Sequence, residues 1–260
     1  MPGFLGQAGP TPWHRLNPLT KLIIAIVTSI VVVLVGGISG PLVLGAVAVL
    51  LPAASAGVLR PLIRASVLLA LPLAISAALV NVFFFPGGGT VLLEIGPISA
   101  TAEGVLFALE IVLRVLVIAG ALSLFYLTTR TSDLVIDLER RGVSPRFAFI
   151  ARSAVTTVPA MVDRASSITD AQRARGLDTQ GSVIRRVRGI LPMVGPTIMG
   201  AINEVEERTL ALEARGFTRP GRRTLLWSPA DTGAQRLARW LVVGVVPLVL
   251  ILRAGGLDLP

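Results

Sequence analysis

The residues of this chain best placed to act on another molecule are two arginines, Arg175 and Arg215, each inside an Ala-Arg-Gly triplet. The triplets Ala174-Arg175-Gly176 and Ala214-Arg215-Gly216 belong to two copies of one phrase, Thr169-x-Ala171-x-x-Ala174-Arg175-Gly176-Leu177 and Thr209-x-Ala211-x-x-Ala214-Arg215-Gly216-Phe217. Each residue of the second copy stands 40 positions after its counterpart. An arginine in the last helical turn suits the negative end of the helix dipole, and the following glycine can take the left-handed conformation that ends a helix. A single triplet reads as a cap. Two matched copies on the cytoplasmic side of a membrane protein suggest a paired plug for two copies of a partner.

A second charged constellation lies inside an apolar run. Glu110 and Arg114 are four residues apart and share one helix face. An intramembrane ionisable group is by default a functional candidate, but Glu followed by Arg at this spacing neutralises itself. A structural pair and a transport or assembly role both stay open.

Other chemistries have little to draw on. The chain has no cysteine and one histidine, His14, so disulfides, thiolate metal sites and a histidine cluster are excluded. Lys21, the one lysine, follows Thr20 and cannot belong to a phosphate-cradling loop, which needs a lysine after a glycine. The sequence therefore predicts no bound metal or cofactor and no catalysis by this chain alone.

The elements that must position these residues are set by hydropathy. Of 260 residues, 53% are hydrophobic, and the mean hydropathy of +0.78 marks an integral membrane protein. Five apolar runs read as spans: 22–38, 41–59, 65–85, 104–129 and 237–252. The stretch 87–103 reads as an external loop without a single Lys or Arg. Residues 1–21 have no apolar core with a small-residue cleavage site and do not read as a signal peptide. Of 24 Lys and Arg, all but Arg114 and Arg253 fall in segments assigned to one side. The positive-inside rule then puts the N-terminus in the cytoplasm and the C-terminus outside. The charge of +9 thus reports topology and contact with the lipid bilayer rather than nucleic-acid binding.

The polar stretch between the fourth and fifth runs is patterned. Phe147, Ile150, Ala154, Val158, Met161, Ala165 and Ile168 recur at helical spacing, as do Leu191, Val194, Ile198, Ile202, Val205, Thr209 and Leu212. Both are stripes of amphipathic helices, which pack on one another, lie along the membrane or grip partners. Pro159 and the Pro192/Pro196 pair are expected to kink or start these helices. A shorter helix is predicted from Ser132, as N-cap, to Arg141, ending at Gly142. The fold predicted is an all-α membrane protein in three parts: four spans over 1–130, a cytoplasmic helical module over 131–236, and a last span with its tail over 237–260.

The sequence resembles the transmembrane T component of energy-coupling factor importers, prokaryotic transporters of vitamins and metal ions. The resemblance rests on Arg15-Leu16-Asn17-Pro18-Leu19-Thr20-Lys21-Leu22, on Arg114 through Leu127-Thr128-Thr129-Arg130-Thr131-Ser132-Asp133-Leu134, on Asp170-Ala171-Gln172-Arg173-Ala174-Arg175-Gly176, and on Glu213-Ala214-Arg215-Gly216-Phe217. Thr131 stands where that family is expected to carry proline. The resemblance implies that Ala174, Arg175, Gly176, Ala214, Arg215 and Gly216 dock on two ABC ATPase subunits, which use the ATP and magnesium. It also implies that the helix stripes hold a small substrate-binding membrane (S) subunit, with Val158, Met161, Ile198 and Ile202 as the contact residues. The implied place is the prokaryotic cell (inner) membrane. A guanidinium offers five donors to carboxylates and carbonyls in a groove, and small neighbours let the backbone approach.

Two other readings remain. Asp170-Ala171-Gln172-x-x-x-Gly176 is close to the Glu-Ala-Ala-x-x-x-Gly loop of conventional ABC permeases, with Ile190-Leu191-Pro192 imitating its tail, although too late in the chain. A secondary transporter needs polar groups at mid-membrane, and the first three runs are almost free of ionisable residues.

Overall fold

Asn17 starts the first helix. Its side chain accepts from the Leu19 amide at 2.9 Å and Pro18 occupies the first helical position, where its missing N–H is no loss. The computed structural model describes residues 11–84, 90–95, 98–176, 183–217, 219 and 229–255, and among these the regular structure is helical apart from one small hairpin. It divides into two compact units, residues 1–141 with 228–260, and residues 142–227.

The first unit holds α1 (Pro18–Leu34), then a continuous helix Ser39–Ser55 made of α2 (Ser39–Leu44), a π-helical turn (Gly45–Leu50) and α3 (Leu51–Ser55). α4 (Leu59–Phe83), β1 (Val91–Ile95), β2 (Ile98–Thr101), α5 (Ala102–Thr128), α6 (Thr131–Arg140) and α9 (Gly233–Ala254) complete it. Three of these, α4, α5 and α9, are long and apolar enough to cross a membrane, while Pro18–Leu34 and Ser39–Ser55 are shorter apolar helices. Seventeen residues rise about 26 Å, near the lower limit for a span.

Several boundaries differ from expectation for local reasons. α1 begins one turn before the apolar run, at Pro18, and ends at Leu34, where Val35 turns extended ahead of the left-handed Gly37 at φ 71°. α4 begins at Leu59 and so includes Arg60 and Arg64, since Pro61 is harmless in a first turn. The presumed loop 87–103 contains the antiparallel hairpin β1–β2, with Ile95 opposite Ile98 and Glu94 opposite Ser99, while residues 85–89 and 96–97 lie outside the described residues. Ser132 is not the cap of α6. Arg130 takes that place without a side-chain bond, and Ser132 sits one residue inside the helix.

α4 packs along α5, and α1 packs between α5 and α9. The buried seam is built from small and β-branched residues: Ala25 and Val32 of α1, Val49 of the π-turn, and Val117 and Ala121 of α5. A Cβ on Gly120 would stand 2.9 Å from Val49 Cγ1, so this helix crossing needs glycine. Lipid is as apolar as leucine, so close packing of small side chains rather than hydrophobic burial holds such helices together. The large aliphatic side chains, such as Leu68, Leu73 and Ile251, remain exposed and face outward.

The second unit holds α7 (Pro145–Ala174) and α8 (Val183–Ala214). Ser144 caps α7, accepting from the Phe147 amide at 3.3 Å, with Pro145 at the first position. Neither Pro159 nor the Pro192/Pro196 pair starts a helix; both helices continue through them. By packing, α6 groups with the first unit.

Candidate functional site

The two copies of the repeated phrase fold alike. Thr169 and Thr209 each donate their hydroxyl to the carbonyl four residues back, Ala165 and Val205, both at 2.7 Å. That internal bond lets Thr209 occupy a position in an otherwise apolar stripe. At the helix ends, the Gly176 amide donates to Arg173 O and the Gly216 amide to Glu213 O, both at 2.9 Å. Gly176 has φ 92° and Gly216 φ 71°, the left-handed region where a side chain is strained. In the second copy the Phe217 amide also reaches Leu212 O at 2.9 Å, which completes a Schellman cap. Leu177, its counterpart, lies outside the described residues.

Arg175 and Arg215 therefore occupy the same place, the half-helical residue just before a left-handed glycine. Both are exposed, as are Ala174, Gly176, Ala214 and Gly216, and neither guanidinium makes a hydrogen bond or ion pair among the described residues. The pair α7–α8 is antiparallel: Phe149 meets Phe217 edge-on at 4.8 Å, Arg208 donates to Thr157 Oγ1 at 3.1 Å, and Arg164 pairs with Glu204 at 2.9 Å. The triplets thus stand at opposite ends of the pair, roughly 40 Å apart along α7 at 1.5 Å per residue.

That seam is formed by residues beside the apolar stripes rather than by the stripes themselves. Val158 is 60% exposed, Met161 40%, Ile198 52% and Ile202 46%, so the apolar faces of both helices are left open. Ala165, Ile168 and Leu212 are half-buried, and the side chain of Leu191 lies outside the described residues.

Glu110 and Arg114 are paired on α5, as their spacing predicts. Arg114 Nη2 also donates to the Val35 carbonyl at 3.0 Å, at the C-terminal end of α1. One guanidinium thereby neutralises a carboxylate and satisfies an orphan carbonyl of a neighbouring helix, which favours the structural reading of the pair.

Sequence reasoning missed a polar network at the other end of α1. Asn17 Nδ2 donates to Asp137 Oδ1 at 3.0 Å, and the Asn17 amide donates to Gln235 Oε1 at 3.0 Å. Lys21 Nζ donates to the Thr128 carbonyl at 2.8 Å, at the end of α5. Arg239 donates to Thr20 Oγ1 at 3.0 Å and to Asp231 Oδ2 at 3.1 Å. Arg141 closes the circuit, bonding Asp137 at 2.8 Å and Asp231 at 2.9 Å. The Asp231 carboxyl is held below the usual carboxylate range, chiefly by the Arg239 hydrogen bond. The segment Asn17–Lys21 is thus a clasp joining α1, α5, α6 and α9. Its one legible signal was Asp137 four residues before Arg141.

The comparisons agree with this architecture. Residues 9–225 match the CbiQ family, described as cobalt transport protein. The chain is 30% identical over 247 residues to the energy-coupling factor transporter transmembrane protein EcfT of Limosilactobacillus fermentum, covering 90% of this chain and 91% of that one. It is 28% identical over 264 residues to the EcfT protein of Heliobacterium modesticaldum, covering 95% and 96%. It is also 29% identical over 223 residues to a putative ABC transporter ATP-binding protein of Bifidobacterium longum, covering 81% of this chain and 28% of that longer one. Matched over most of its length, the chain belongs to the CbiQ family and is an EcfT-type transmembrane component of an energy-coupling factor transporter.

Proposed function

We propose that this chain is the coupling subunit of its transporter. Arg175 and Arg215 each anchor one ABC ATPase subunit, and the open stripes of α7 and α8 seat a small substrate-binding membrane protein. ATP-driven closure of the ATPases moves the two ends of the α7–α8 pair, and the stripes pass that motion to the substrate-binding partner. The ATPases bind the ATP and magnesium; this chain is non-catalytic. The N-terminus lies in the cytoplasm and the C-terminus outside, with five helices spanning a prokaryotic cell membrane and the α7–α8 module on the cytoplasmic side.

One observation carries this reading: two exposed arginines with the same glycine cap at opposite ends of one antiparallel helix pair. A cap needs no such duplication, and two widely spaced cations suit two docking partners. The relative from Bifidobacterium longum, named as an ATP-binding protein of an ABC transporter, supports an association with such ATPases. The test is to purify the tagged chain from its native host under mild detergent and to identify what accompanies it. Two ABC ATPases and one small membrane protein are expected, with ATP hydrolysis only in the assembled complex. Micromolar nucleotide binding by the pure chain, or a complex without ATPases, overturns the proposal.

A further inference from the structure

An apolar groove of about 210 Å3 opens on the flank of the membrane unit. Leu42 and Leu50 wall it on one side, Ile63 and Val67 of α4 on another, and Leu113 and Leu116 of α5 behind. Ser66 also lines it, but its hydroxyl is turned to the Leu62 carbonyl at 2.8 Å. The π-helical turn supplies part of the wall through Gly45, Ala46, Val49 and Leu50. There Gly45 lies so close to α5 that a Cβ on it would stand 3.0 Å from the Val117 side chain at Cγ2, while the rim residues Leu42, Leu50, Ile63 and Val67 stay exposed. In a bilayer, hydrocarbon fills such a space.

The charges at its end are unusual. Arg60, Ile63, Arg64 and Val67 follow the i, i+3, i+4, i+7 spacing of one helix face, so both arginines share the face of α4 that forms the rim. Arg60 lies about one turn nearer the N-terminus of α4 than Ile63. Both arginines are exposed, and neither guanidinium makes a hydrogen bond or ion pair among the described residues. The first turn of α4 contains no acidic residue. Cations at a helix N-terminus oppose the positive end of the dipole. An anion placed there relieves that repulsion and the repulsion between the two guanidinium groups.

We propose that this groove is a binding site for one anionic phospholipid, with an acyl chain along the apolar walls and the phosphate on Arg60 and Arg64. A membrane helix of another protein also suits the walls, but it has no use for two unpaired cations at one end. The phosphodiester answers both features at once. Juxtamembrane arginines attract anionic lipid, and guanidinium forks match phosphate oxygens.

The test is native mass spectrometry of the full chain in mixed micelles, titrated with phosphatidylglycerol or with phosphatidylcholine. The wild type is expected to retain one phosphatidylglycerol in preference to phosphatidylcholine. Arg60→Gln with Arg64→Gln is expected to weaken phosphatidylglycerol binding roughly thirty-fold while sparing phosphatidylcholine. Arg60→Lys with Arg64→Lys keeps most of the preference and controls for folding. Ala46→Phe, which fills the groove, weakens both lipids. Equal binding of the two lipids by the wild type, or an undiminished preference in the glutamine pair, leaves the arginines as topology signals only and overturns the site. Phosphatidylglycerol bound by the isolated chain but absent from the intact transporter gives the groove to a protein helix, and the proposal fails.

Discussion

Asn17 and Asp137, separated by 120 residues of sequence, meet in a buried hydrogen bond of 3.0 Å from Asn17 Nδ2 to Asp137 Oδ1. The same asparagine caps α1 through its side-chain oxygen, so one residue fixes both the start of a helix and its neighbour. Replacing Asp137 with alanine takes the carboxylate from the buried Asn17 side-chain donor, at about 1–3 kcal/mol for such a group. Unfolding in detergent of Asn17→Ala, Asp137→Ala and the double variant is expected to give a coupling of about 0.5–3 kcal/mol. Strictly additive losses would remove the bond from the account of stability.

Asp231 makes the clasp sensitive to acid. The Arg239 hydrogen bond is the largest cause of its lowered pKa; the charges of Arg239 and Arg141 act in the same direction and burial opposes them. The folded-state pKa is depressed, so the stabilisation is present above the unfolded value and is lost as pH falls through the folded one. The wild-type melting temperature in detergent is expected to fall on acidification below the ordinary carboxylate range. Asp231→Asn starts lower at neutral pH and loses less over the same range. Parallel pH profiles for the two proteins would contradict the assignment.

Charge reversal at the helix ends tests the docking proposal. Arg175→Glu or Arg215→Glu is expected to weaken ATPase attachment by at least about 2–5 kcal/mol, the cost of truncating one partner of a buried interfacial pair. The double variant is expected to insert normally and to lose transport, read as uptake by cells and as ATPase recovery on the tagged chain. If the two ATPases differ, each single variant loses a different one. Wild-type uptake by the double variant would reduce both triplets to helix caps.

The open stripes allow a cleaner experiment than a packed seam would. Because Met161 and Ile202 are exposed, Met161→Asp or Ile202→Asp is expected to change folding stability little, within about 0.5 kcal/mol. Co-purification should then retain the ATPases and lose the substrate-binding partner. Loss of every subunit together with aggregation would mean that these positions belong to a core.

The sequence by itself determined the features whose cause is local. Hydropathy located the apolar helices to within six residues at either end, because a helix in lipid must satisfy its backbone internally and carry apolar side chains along its length. Arg-Gly located the ends of α7 and α8, because a left-handed residue is needed there and glycine takes it without strain. Glu110 and Arg114 were legible as a pair because four residues is the repeat of a helix face. Tertiary structure decided what depends on neighbours distant in the chain. Nothing local to Asn17, Asp137, Asp231 or Arg239 announces that they share one network, since each has an ordinary role within its own segment. The π-turn at Gly45–Leu50 meets Val117 and Gly120 of α5 beside the groove, a contact between segments far apart in the chain. The apolar periods of α7 and α8 identified a face in each helix, but only packing showed that Arg164, Glu204, Thr157 and Arg208 hold the pair together and leave those faces uncovered. Periodicity marks which side of a helix is apolar; what that side meets is settled by the rest of the molecule.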